Sequence, residues 1–108
     1  MTERLAPFEA ELWEWTGQAP ARWFFVTLPP EQAETVQLHA ILSATRRGWS
    51  TVRVRAQSGD VSWETSLFPN KAQSSWMLPV KASVRRSLGV GAGDSLRLDL
   101  TLRDPAMI

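Results

Sequence analysis

At 108 residues, with 44% hydrophobic and 21% charged residues, the chain has the size and composition of one folded domain rather than a disordered segment. It contains no cysteine, which excludes a disulfide framework, a thiolate metal site and a thiol nucleophile. The net charge of +1 hides an acidic first part (Glu3, Glu9, Glu11, Glu14, Glu31, Glu34) and a basic stretch from Arg46 to Arg86. Such asymmetry points either to an anionic partner or to charge pairing between neighbouring strands, and the second is favoured.

The first predicted element is a strand over residues 8–16, where Phe8, Ala10 and Leu12 alternate with Glu9, Glu11 and Trp13. A turn over 17–21 leads to a second, more buried strand, residues 22–28, dense in aromatic and β-branched side chains. Pro29 and Pro30 open a helix, with Glu31 and Glu34 near its positive end and Leu38, Ile41, Leu42 and Thr45 as the inward stripe. Arg46 and Arg47 suit its carboxyl end, and Gly48 closes it.

A third strand is expected over 49–56 and a fourth over 61–67, joined by Ser58-Gly59-Asp60. Val61, Trp63, Thr65 and Leu67 share one face, and residues 69–75 read as a polar loop. A short strand from Trp76 then meets a helix opened by Pro79, with Val80, Val84 and Leu88 on its apolar side and Gly89 as its cap. The turn at Gly91, Gly93 and Asp94 feeds a last strand in which Leu96, Leu98, Leu100 and Leu102 alternate with polar residues. Strand, Leu-Pro, helix, glycine and alternating strand thus occur twice, at about 22–56 and 75–102, which implies a barrel with an internal pseudo-two-fold.

The segment carrying Leu78, Pro79, Val84, Arg85, Leu88, Gly89, Gly93 and Asp94 resembles the swapped-hairpin motif of the AbrB, MazE and MraZ transcription factors. The chain as a whole is similar to a bacterial family of small barrels of unknown function, often found ahead of a YdeI/OmpD-associated segment. The residues carrying that resemblance are Phe8, Leu28-Pro29, Thr65-Ser66-Leu67 before Pro69, Leu78-Pro79-Val80-Lys81, Val84-Arg85 and Gly93-Asp94. It implies a double-split β-barrel and no established activity.

Residue chemistry offers no catalytic constellation. His39 is the single histidine and has Thr35 and Ser43 four residues away, so it reads as structural. Glu9 and Glu11 share a strand face and read as a solvated ladder opposite Arg53 or Arg55. The glycines from Gly89 to Gly93 follow a helix and open a strand, the reverse of a phosphate loop, and Asp94 is expected to bond nearby amides. Trp23, Trp63 and Trp76 fit buried positions, whereas Trp13, Trp15 and Trp49 fit partly exposed ones.

The expected fold is mainly β: a single-chain double-split, AbrB-like barrel of two pseudo-repeats and two short helices, spanning 8–103 between tails at 1–7 and 104–108. The expected function is a non-enzymatic binding or interaction module, without catalytic residues, metal or cofactor. Its binding surface is expected to draw on Trp13, Trp15, Trp49, Arg46, Arg47, Arg53, Arg55, Arg85 and Arg86. The partner is unknown. A protein partner or a small ligand is possible, an AbrB-like nucleic-acid-binding regulator acting through an Arg-rich face is the alternative, and small-molecule binding in an aromatic-lined pocket ranks below both. No apolar run is long enough to span a membrane and no signal-like N-terminus is present, so a cytoplasmic monomer or weak homodimer is expected.

Overall fold

Most stretches of alternating apolar residues become strands in the computed structural model, which describes residues 2–17, 22–42 and 51–103. In chain order the elements are β1 (Thr2–Arg4), β2 (Phe8–Trp15), β3 (Trp23–Thr27), α1 (Pro30–Leu42), β4 (Val52–Ser58), β5 (Val61–Asn70), a 3₁₀ turn (Lys71–Gln73), β6 (Ser75–Pro79), α2 (Ala82–Leu88) and β7 (Ser95–Arg103). Among the described residues no helix is long and apolar enough to cross a membrane.

The strands run β1-β7-β2-β3-β6-β5-β4, and a further β4–β7 pairing joins the ends, so β2 to β7 close a six-stranded antiparallel barrel. Exchanging β2 with β5, β3 with β6 and β4 with β7 maps every barrel pairing onto another or onto itself. Each half is therefore a strand–strand–helix–strand unit, and the repeat legible in the sequence gains one further strand, β2 or β5, at its start. β2 and β5 each change partners midway. Residues Phe8–Glu11 pair with β7 and Leu12–Trp15 with β3. Val61–Leu67 pair with β4 and Phe68–Asn70 with β6. This is the double split, and a helix covers each opening.

The interior follows the period-two pattern. Leu98, Leu100 and Leu102 are fully buried beside Leu12, Val26, Val54, Ala56, Leu67 and Leu78. At about 1.5–3 kcal/mol for each large aliphatic side chain, this set supplies most of the driving force. The glycine turn acts as a corner: Gly93 N–H donates to the Leu12 carbonyl at 2.8 Å and Leu12 N–H to the Asp94 carbonyl at 2.8 Å, where β2 changes partners. As expected, Asp94 also accepts from a nearby amide, Gly91 N–H, at 2.8 Å.

Several local expectations are corrected. Residues 1–7 are not wholly a tail, because β1 pairs with β7 along the same edge as β2. Pro7 has no N–H to give, and the ladder breaks there and shifts by one residue, as at a bulge. β5 runs on through Pro69 to Asn70, where a loop was expected. Pro79 ends β6 opposite Phe25 rather than opening a helix, because Val80 N–H still donates to the Phe24 carbonyl at 2.9 Å. The stripe of α1 is reversed: Gln32, Ala33 and Val36 face the barrel, and Leu38, Ile41 and Leu42 are exposed. Small side chains let the helix approach closely, and Gln32 donates to the Ala6 carbonyl at 3.0 Å to fix it there. Thr45, Arg46, Arg47, Gly48 and Trp49 lie outside the described residues.

Candidate functional site

The two outer faces of the barrel differ in chemistry. On β1, β7, β4 and the first part of β5 the outward residues are polar and answer one another across strands. Arg103 donates to Glu64 at 3.0 Å, Arg53 lies 3.9 Å from Glu64 and donates to Ser66 at 3.0 Å, and Arg4 pairs with Asp99 at 3.0 Å. Glu9 stands opposite Arg97, not opposite Arg53 or Arg55 as the sequence suggested. Arg55 is exposed between Glu64 and Thr101.

The opposite outer face carries no charge on β3, β6 and the end of β5, and is continued on β2 by Trp13 and Trp15, with the exposed Glu9 and Glu11 of the same β2 side at its margin. Register places Trp13 opposite Phe25, Trp15 opposite Trp23, Phe25 opposite Pro79 and Met77 opposite both Thr27 and Phe68. Directly opposed residues of a sheet share a face. Trp15, Trp23 and Phe68 remain 39%, 51% and 42% exposed. Trp13 is half-buried, 5.3 Å from Phe25 between ring centroids, and its indole N–H donates to Thr27 Oγ1 at 2.9 Å. Trp23 was expected inside; it faces out because Phe24 and Val26 take the inward positions of β3. Trp63 and Trp76 are buried as expected.

The splits leave two grooves. Under α2, a cleft of about 250 Å³ has Phe24, Trp63 and Val80 as its floor, with Arg22, Lys81, Arg85 and the carboxylate of Glu64 around it. Arg22 is held by Glu14 through two hydrogen bonds of 2.7 and 3.1 Å, and this contact holds the Glu14 carboxyl below the usual range while raising the guanidinium. Arg85 donates to the Val80 carbonyl at 2.7 Å and lies 3.7 Å from the Phe24 ring centroid. Burial, then the charges of Arg22 and Arg86, push the Arg85 guanidinium down. Trp63 Nε1 is buried with no hydrogen-bond acceptor among the described residues. Under α1, at the pseudo-equivalent position, a wider groove of about 1210 Å³ runs past Trp76, Leu38 and Ile41. His39 is half-buried with its Nδ1 3.5 Å from Glu3.

Of the residues singled out from the sequence, Trp13 and Trp15 join one aromatic face. Arg53 and Arg55 lie on the polar face, Arg85 at the cleft, and Arg86 is exposed on α2. Trp23, Phe25, Met77 and Phe68 were missed as surface residues; the signal for them was the pairing register, not any one strand. The cleft residues Trp63 and Phe24 were read only as core.

No curated protein matches the chain. The profile of the family described as "Domain of unknown function (DUF1905)" matches residues 8–100, from the start of β2 into β7 and including both helices. The chain belongs to the DUF1905 family.

Proposed function

We propose that this domain is a non-enzymatic protein-interaction module that assembles through its aromatic sheet face, with a second copy of the chain as the occupant. The observation that carries the reading is the outward set Trp15, Trp23 and Phe68 on a continuous face with Trp13, Phe25, Met77 and Pro79. Large exposed apolar patches mark interaction sites on soluble domains. On β3, β6 and the end of β5 two such faces meet without like-charge repulsion, with Glu9 and Glu11 left at the β2 margin, and sheets stack face to face. At about 200–250 Å² per aromatic side chain, the three exposed rings leave roughly 300 Å² open, short of the about 800 Å² per partner of a standard interface. The dimer is therefore weak and concentration-dependent. The arginine face supports the nucleic-acid alternative less, because Arg53 and Arg103 are engaged by Glu64 and Arg4 by Asp99.

Sedimentation velocity over a wide concentration range tests this, beside a Trp15→Glu/Phe68→Glu variant. The expected result is reversible self-association that the variant loses while its melting temperature holds. A wild-type chain that stays monomeric at the highest concentration overturns the reading, as does a variant that still associates.

A further inference from the structure

The cleft under α2 is a site of a different kind from the aromatic face, and we propose that it binds a compact monocarboxylate with a small apolar body. Two independent features point there. The first is the Trp63 indole N–H: Trp63 is only 7% exposed, it lines the cleft, and its Nε1 has no acceptor among the described residues. A buried donor without a partner costs free energy, and few are tolerated in a folded domain without a reason. A ligand oxygen supplies what the protein does not.

The second feature is Arg85. Among the described residues it forms no ion pair; its contacts are the Phe24 ring and the Val80 carbonyl. Its neighbour across the cleft, Arg22, is already neutralised by Glu14, and the carboxylate that lines the cleft, Glu64, is taken by Arg103 at 3.0 Å, whereas Arg85 and Lys81 form no ion pair among the described residues. The cleft thus holds excess positive charge above an apolar floor of Phe24, Trp63 and Val80. A guanidinium fork matches a planar carboxylate. The apolar floor and the volume of about 250 Å³ suit a body the size of one ring. A phosphate would leave that floor uncovered, and a neutral ligand would leave the cation uncompensated.

Benzoate is the probe, with benzamide as its neutral isostere and inorganic phosphate as the bare anion. Binding is read from the indole N–H resonances of the six tryptophans, the Trp63 signal being assigned by its loss in Trp63→Phe. In the wild-type chain, benzoate is expected to shift the Trp63 signal saturably, with benzamide at least about tenfold weaker and phosphate without saturable effect. In Trp63→Phe, which keeps an aromatic ring and removes the donor, and in Arg85→Lys, which keeps the charge and removes the fork, benzoate affinity is expected to fall about tenfold, read from the remaining indole signals, in variants that still melt cooperatively though at a lower temperature. Should Arg85→Lys fail to fold, Trp63→Phe and the probe panel still decide. No saturable shift at Trp63 overturns the site. Equal binding of benzamide, or tighter binding of phosphate, overturns the carboxylate assignment, and affinity retained in both variants overturns the residue roles.

Discussion

Arg85 lies flat enough on Phe24 for its guanidinium carbon to sit 3.7 Å from the ring centroid, while its Nη1 donates to the Val80 carbonyl at 2.7 Å. One side chain thereby fastens α2 to β3 and to the end of β6, across the split of the barrel. A half-buried cation–π contact contributes about 1–2 kcal/mol, and the hydrogen bond about 1 kcal/mol more. Arg85→Ala is expected to lower unfolding free energy by about 1–3 kcal/mol in urea denaturation. Pairing it with Phe24→Leu in a double-mutant cycle isolates the ring contact: the two losses are expected to be less than additive. Full additivity would show that the guanidinium does not act through the ring.

The two apolar stripes of α1 predict opposite outcomes. Val36 is fully buried against the barrel, and Leu42 is 78% exposed. Val36→Ala is expected to cost about 1–3 kcal/mol through lost burial and a residual cavity, whereas Leu42→Ser changes stability by less than about 0.5 kcal/mol. Thermal or urea unfolding of both variants checks this. A large loss for Leu42→Ser would restore the stripe that the sequence suggested.

That stripe shows where the sequence stops being legible. In β7 the alternation of leucines with polar residues left one possible inner face, and Leu96 to Leu102 occupy it. In α1 there are two apolar arcs, Ala33-Val36-Ala40 and Leu38-Ile41-Leu42, and hydrophobicity favours the larger side chains. Close approach of the helix to β6 selects the smaller ones, a choice made by tertiary geometry. The same holds for β3, where Trp23-Phe24-Phe25-Val26 is apolar on both faces and period two carries no information. Only the register with β2 and β6 shows that Trp23 and Phe25 share an outer face with Trp15 and Pro79. The orphaned Trp63 donor is equally silent in sequence, because it depends on what every neighbouring strand fails to supply.

The corner between α2 and β7 depends on one glycine more than on its neighbour. Gly93 has φ of 94°, which L side chains rarely adopt, whereas Gly91 is not among the residues of positive φ. An added Cβ meets nothing within 4 Å at either position, so only the backbone distinguishes them. Gly93→Ala is expected to destabilise by about 1 kcal/mol or more, and Gly91→Ala to be neutral or slightly stabilising through the unfolded chain. Because Gly93 N–H holds the Leu12 carbonyl, hydrogen exchange at Gly93 is expected to quicken in Gly93→Ala. Equal effects of the two substitutions would exclude the left-handed backbone as the cause.

The Glu14–Arg22 pair gives the fold a pH dependence with a definite sign. The hydrogen bonds from Arg22, reinforced by its charge and by that of Arg85, hold the folded Glu14 carboxyl below its ordinary value of 4.5. Between the lowered folded value and the ordinary unfolded one, the unfolded chain binds more protons, so stability rises with pH there. The contribution is complete above the ordinary value and is lost as pH falls through the lowered one. Arg22 is largely open to solvent and Glu14 partly so, and added salt therefore weakens the pair. Urea midpoints of the wild-type chain and Glu14→Gln, measured on either side of pH 4.5 at low and high salt, are expected to converge at acid pH and to separate at neutral pH, most widely at low salt. A gap that persists unchanged at acid pH would mean that Glu14 stabilises the hairpin by packing or neutral hydrogen bonding, not by its charge on Arg22.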